Sequence, residues 1–221
     1  MATERQRQRF WVLHSRPWQN TSVILEVLSE QHGRVGAVVR GGRRLSQLQP
    51  FRQLSGVFGG RGELLSLTGA EVEPAVFSLA GRALFCGLYI NELLMRLLHR
   101  HDPHPELFAP YQETLAHLAH ADVAQDITLR HFEMTLLDML GYGFSLDRDA
   151  HGDKLDEQGC YQLVANMGLM PAVKGFAGRD LLALSRQEWS DDVRRTARDL
   201  FRQALAPYLG DKPLASRELF R

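Results

Sequence analysis

Cysteine is scarce: Cys86 and Cys160 are the only two in 221 residues. Two thiols make no disulfide framework, and no C-x-x-C pair offers half of a metal knuckle. Cys86 falls inside an apolar run and reads as a small apolar residue, whereas Cys160, in the polar turn Gln158-Gly159-Cys160, reads as a free thiol. Long apolar runs are missing too. The longest, Ala83 to Ile90, falls far short of the span a bilayer requires. The opening MATERQRQRF alternates Arg and Gln with no apolar stretch behind it, which speaks against an ordinary secretory signal. A cytoplasmic protein without membrane association is expected. A Gly-rich phosphate loop with its Lys, an H-E-x-x-H pair and a nucleophile elbow are likewise absent, and Ser, His and Asp follow no recognisable order. No enzyme, cofactor or metal is expected.

Lysine is absent from residues 1–62, and acidic residues are few there. That segment holds ten arginines, at positions 5, 7, 9, 16, 34, 40, 43, 44, 52 and 61, against Glu4, Glu26 and Glu30. The whole chain is formally neutral, so the rest carries the compensating negative charge. For partner choice a local field matters more than a sum. Guanidinium groups suit planar, bidentate phosphate contacts and stacking on bases better than ammonium groups do.

What is present divides by periodicity. Five short stretches, Arg9 to His14, Thr21 to Ser29, Gly33 to Arg40, Pro50 to Phe58 and Leu64 to Glu71, read as strands parted by glycine and polar turns. A small β-barrel over 1–76, of OB or SH3-like type, fits them, with Glu73-Pro74 closing the strand region. From residue 77 the character is helical. The stretch 84–98, LFCGLYINELLMRLL, is apolar on nearly every face and predicts a core helix, from about Phe77 to His99, with Glu92 and Arg96 in the order of a favourable helical ion pair. Further helices are expected over about 106–120, from an Asp122 cap to Leu140, over 178–184, and from Ser190 or Asp191 to Leu209, where Gly210 ends the last. Residues 145–176 look irregular, with a small hairpin around Tyr161 to Ala165. The fold class is α+β: a barrel over 1–76, then an α-helical domain over 77–221.

Three features bear on function. The first is the Arg-rich barrel with interleaved rings, since single strands are held by cationic grooves and stacked on aromatic faces. Phe10, Phe51 and Phe58 read as barrel core, and Trp18, beside Pro17 in a polar loop, as the stacking candidate. Arg9, Arg16, Trp18, Arg34, Arg40, Arg43, Arg44, Arg52 and Arg61 form the candidate DNA-binding set, and Arg40-Gly41-Gly42-Arg43-Arg44 is its sharpest piece. The second is a stripe of Arg194, Arg198 and Arg202, with Arg195 beside it, on the last helix; it is either a DNA track or an ordinary solvent face. The third is Leu129-Arg130-His131-Phe132-Glu133, at the start of a strongly apolar helix, where Arg130 stands four residues after Asp126 and is placed to pair with it at the surface.

The segments VLHSRPWQNTSVILEV at 12–27, LQPF at 48–51, GLYINELLMRLL at 87–98, LGYG at 140–143 and KPLASRELFR at 212–221 resemble the RecO family of bacterial recombination mediators, in consistent order over essentially the whole chain. The resemblance favours the OB-fold. It implies binding of single- and double-stranded DNA, annealing of complementary strands, and, with RecR, loading of RecA onto strands coated by single-stranded DNA-binding protein. It places the C-terminal tail of that protein on the helical domain, where Leu129 and Arg130 match the pocket. Some members carry four zinc cysteines in the region of 145–176, which this chain lacks, and the basic loop at 40–47 is shorter than is common. Two rivals stay open: a metal-dependent hydrolase using His117 and His120 near the His-rich helix ends, and an adaptor that binds only proteins.

Overall fold

The structure is a computed structural model that describes residues 6–120 and 122–220, with Phe220 described by its backbone alone. Glu4 and Arg5 lie outside the described residues. Strands β1 (Gln8–Trp18), β2 (Ser22–Ser29), β3 (Gly33–Val39), β4 (Arg52–Gly59) and β5 (Leu64–Val76) close into a barrel of order β1-β2-β3-β5-β4. The β3–β5 pair is parallel and the other pairs are antiparallel, which gives the OB-like connection expected.

Phe10, Val12, Val23, Leu25, Val27, Val35, Ala37, Val39, Leu54 and Phe58 alternate inward and fill the barrel. Intervening residues Trp11, Leu13, Ile24 and Leu28 are buried as well, so the first two strands read as nearly continuous apolar runs. Helices α1 (Gly81–Leu97) and α2 (Phe108–Ala119) account for that second buried face. Trp11 stacks on Phe77 at 5.8 Å between ring centroids and meets Tyr111 edge-on at 5.6 Å. Asn91 of α1 donates to the Leu13 carbonyl at 2.8 Å and accepts from Tyr111 Oη at 2.7 Å.

Two strands run past their expected ends. Trp18 is the last residue of β1, not a loop residue, and β5 continues through Pro74 to Val76. Beyond Trp11, β1 is paired with β2 alone, and beyond Ser66, β5 is paired with β4 alone. Each proline therefore sits in a stretch with a free edge, where a missing N–H disrupts least.

By compactness the chain divides into one unit of 1–123 with 213–221, and another of 124–212. The switch from strand to helix near residue 76 is thus not where the compact units part, because α1 and α2 pack with the barrel. In the first unit the C-terminal 3-10 turn, Ala215–Phe220, packs on α1.

The second unit contains α3 (Gln125–Met139), the strands β6 (Cys160–Val164), β7 (Gly168–Pro171) and β8 (Phe176–Ala177) in order β7-β6-β8, then α4 (Gly178–Ser185) and α5 (Asp191–Leu209). The segment 145–176, expected to be irregular with one hairpin, thus contributes a three-stranded sheet. Its hairpin turns at 165–167, with Asn166 at φ 60°. Helix α3 is capped at Ala124 and not at Asp122. Ser190 caps α5, its Oγ accepting from Val193 N at 3.2 Å.

Candidate nucleic-acid interface

One end of the barrel gathers the cationic and aromatic side chains. Trp18 is registered with Ser22 and Arg16 with Ile24, while Val23 at the start of β2 is registered with Val39 at the end of β3. The chain leaving β3 folds back at once, with Arg43 N donating to the Thr21 carbonyl at 3.1 Å. The two glycines explain why it can. Gly41 adopts φ 69°, which favours glycine. A Cβ on Gly42 would lie 2.6 Å from Val23 Cγ2. The 3-10 turn therefore lies flush on β2 and leaves Arg40, Arg43 and Arg44 exposed.

Arg16 Cζ stands 5.5 Å from the centroid of the Trp18 ring, and Trp18 is 41% exposed. Among the described residues, no carboxylate lies within 4.0 Å of Arg16, Arg40, Arg43 or Arg44. Four unneutralised guanidinium groups and an indole face are the parts from which a site for a phosphate backbone with stackable bases is built. The indole is one that a cation already orders.

The other barrel arginines are placed differently. Arg9 is held by both oxygens of Glu30, at 3.0 and 2.6 Å, and the Glu30 hydrogen bonds raise its already high pKa. Arg34 donates to Glu26 at 3.2 Å and to the Leu98 carbonyl at 3.1 Å. Arg100 pairs with Glu26 and Glu63. His101 N donates to the Arg34 carbonyl at 2.9 Å, so residues 98–103 lie over the outer face of β3. Gly33 is needed there, because at φ 63° its Cβ would lie 1.7 Å from the Asp102 carbonyl oxygen.

OB barrels present ligands on the β2–β3 face and the loops after β1 and β4. With the β3 face covered and its charges neutralised, the loops remain. Arg16 and Trp18 flank the first, and Arg61 sits exposed in the second, with no carboxylate within 4.0 Å among the described residues. Arg52 belongs elsewhere. The bond from Phe51 N to the Val12 carbonyl places it near the level of Val12, four strand positions, or roughly 13 Å, from Arg16.

In the second unit the expected cationic stripe is largely neutralised. Arg194 is held bidentately by Asp126, and that hydrogen bonding keeps the Asp126 carboxyl below its ordinary range against the opposing effect of burial. Arg198 is paired with Asp199 at 2.9 Å and Arg195 with Asp192. Of the stripe, Arg202 alone has no carboxylate within 4.0 Å among the described residues.

Leu129 is buried in α3. Arg130 is only 12% exposed and pairs at 3.0 Å with Glu133, itself 1% exposed. Its partner is thus Glu133, not Asp126, and the pair is interior. His117 and His120 are both exposed. Among the described residues, no group of three or more His, Cys, Asp or Glu side chains is placed to hold a metal ion.

One consequential role was not legible in the sequence. Glu92 and Arg96 do form the expected ion pair, at 2.9 Å. Yet Glu92 also accepts from Ala215 N, Ser216 N and Ser216 Oγ, and Arg96 donates to the Pro213 carbonyl at 2.7 Å. The only available signal was two charges placed on an otherwise apolar helix.

Two family models match: recombination protein O N terminal over residues 1–75, and recombination protein O C terminal over residues 79–218. A DNA repair protein RecO of Pseudomonas paraeruginosa is 44% identical over 220 residues, covering 96% of this chain and 94% of that protein. One of Escherichia coli O139:H28 is 44% identical over 225 residues, covering 97% and 93%, and one of Escherichia fergusonii matches to the same extent.

Proposed function

The chain belongs to the RecO family of DNA repair proteins, and on that premise we propose that it is a recombination mediator holding DNA at the β1–β2 end of its barrel. It binds single and double strands there and anneals complementary ones. With RecR, it promotes RecA loading on strands coated by single-stranded DNA-binding protein. One observation supports this reading above the others: Arg16, Arg40, Arg43 and Arg44 stand together beside exposed Trp18 without a carboxylate within 4.0 Å among the described residues. Phosphates of two strands neutralised at that end repel one another less, and base pairing then supplies the driving force. Trp18 gives a face to unpaired bases, which a duplex keeps in its own stack.

The tail of single-stranded DNA-binding protein docks on the helical unit, with Leu129 and Arg130 at the floor of its site. Its terminal carboxylate competes with Glu133 for the Arg130 guanidinium.

The deciding measurement is fluorescence polarisation of a labelled oligothymidylate at several salt concentrations. Affinity is expected to fall with salt by about 0.7 logarithmic units per decade for each phosphate neutralised. Arg40→Ser with Arg43→Ser and Arg44→Ser should flatten that slope by about two units. Trp18→Ala should weaken single strands more than duplex. An affinity indifferent to salt sinks the proposal and favours a protein adaptor.

A further inference from the structure

Arg52 lines a groove away from the β1–β2 end of the barrel. The groove, of about 290 Å³, runs between the start of β4, the end of β5 and the N-terminal half of α1. Its apolar lining includes Pro50, Phe77, Leu79, Leu84 and Leu88. Leu84 and Leu88 are four residues apart on α1 and remain half-buried. They belong to the apolar ridges that marked this helix as a core element, and here they face the groove. Val76, at the rim, is 43% exposed. The floor is rigid: Phe77 stacks on the fully buried Trp11 at 5.8 Å. Gly87 lets Leu79 and the Phe51 ring sit against α1, since a Cβ there would lie 2.6 and 2.8 Å from them.

Among the described residues, Arg52 is the only charged one lining the groove. Among the described residues, no carboxylate lies within 4.0 Å of it. An apolar trough with one uncompensated cation at its edge selects its occupant by charge. A nucleic acid strand would bring a phosphate every nucleotide to a lining with a single cation, and its sugars would meet aliphatic walls. A peptide matches better: its apolar side chains fill the trough and one carboxylate reaches the guanidinium. The volume sits at the lower end of ligand pockets, roughly 300 to 1,000 Å³, and so suits side-chain anchors.

We propose that this groove is a protein-docking site for a short segment of a partner in which apolar residues adjoin an Asp or Glu. The site lies in the barrel-bearing unit and does not depend on the DNA-binding reading above.

The experiment uses the full chain and a panel of fluorescein-labelled hexapeptides alternating Leu or Phe with Asp, against the same panel with Lys in place of Asp. Polarisation should rise with at least one acidic peptide and with none of the basic set. Arg52→Glu should weaken that peptide about tenfold or more, and Arg52→Lys should restore most of the affinity. Amide shifts in a ¹⁵N spectrum should cluster at 76–79 and 84–88. The inference is overturned if no acidic peptide binds up to millimolar concentration. Equal binding by the basic set, or indifference to Arg52→Glu, overturns it too, as does displacement of the peptide by oligothymidylate with loss of DNA affinity in Arg52→Glu. Because Arg52 is the half-buried first residue of β4, far-ultraviolet circular dichroism of Arg52→Glu is compared with the parent, and the Arg52→Lys rescue separates lost charge from lost fold.

Discussion

Glu92 is the point at which the C-terminal turn is fastened to α1, and its removal should be felt both locally and globally. The carboxylate takes Ser216 Oγ at 2.6 Å, Ser216 N at 2.8 Å, Ala215 N at 3.0 Å and Arg96 at 2.9 Å, while its side chain is 14% exposed. Burial is the largest single influence on its pKa and pushes upward. The Ser216 and Ala215 hydrogen bonds together with Arg96 outweigh it, so the carboxyl titrates below its ordinary 4.5.

Hydrogen bonds to a charged group contribute roughly 1.5–3 kcal/mol each, but they are not additive and the lost partners regain water. Glu92→Ala should therefore destabilise by about 2–4 kcal/mol, and Glu92→Gln, which keeps one acceptor, by about 1–2 kcal/mol. A depressed carboxylate pKa stabilises the fold above the unfolded value and loses that contribution as pH falls through the folded one. The gap between parent and Glu92→Gln should thus be full at pH 7 and shrink as pH drops below about 4.5. Urea unfolding at pH 7 and pH 3 measures this gap, and hydrogen exchange at Ala215 and Ser216 reports the local release. Unaltered exchange at those two amides, or a gap of the same size at both pH values, would refute the reasoning.

Asn91→Ala should cost about 2–4 kcal/mol in urea unfolding, because it removes a buried partner of both the Tyr111 hydroxyl and the Leu13 carbonyl. Tyr111→Phe, which leaves Asn91 one bond, should cost less. Arg130→Ala removes the guanidinium that pairs with the buried Glu133 and should destabilise by about 3–5 kcal/mol, whereas Arg130→Met combined with Glu133→Leu should regain most of it. Thermal unfolding of the two variants decides the point, and an Arg130→Ala protein as stable as the parent would show that the pair is not structural.

The barrel was legible because its evidence is local. Val23, Leu25 and Val27 in β2, and Val35 and Val39 in β3, carry their strand preference and their burial in their own side chains. The same holds for the apolar faces of α1, the Ser190 cap and the Gly210 stop. Prolines misled at Trp18 and Val76, since sequence cannot show that a strand edge is unpaired. The grouping of Arg40, Arg43 and Arg44 came from adjacency in the chain, and Arg16 joined them only through the β1–β2–β3 register.

Composition and periodicity alone determined that a strand-rich, arginine-rich segment precedes a helical one, because side-chain shape and backbone preference act within a few residues. Which arginines remain available was decided only in three dimensions. Arg9 and Glu30 are separated by 21 positions, Arg34 and Leu98 by 64, and Arg194 and Asp126 by 68. Coulombic attraction and hydrogen bonding depend on distance through space, and the fold sets that distance.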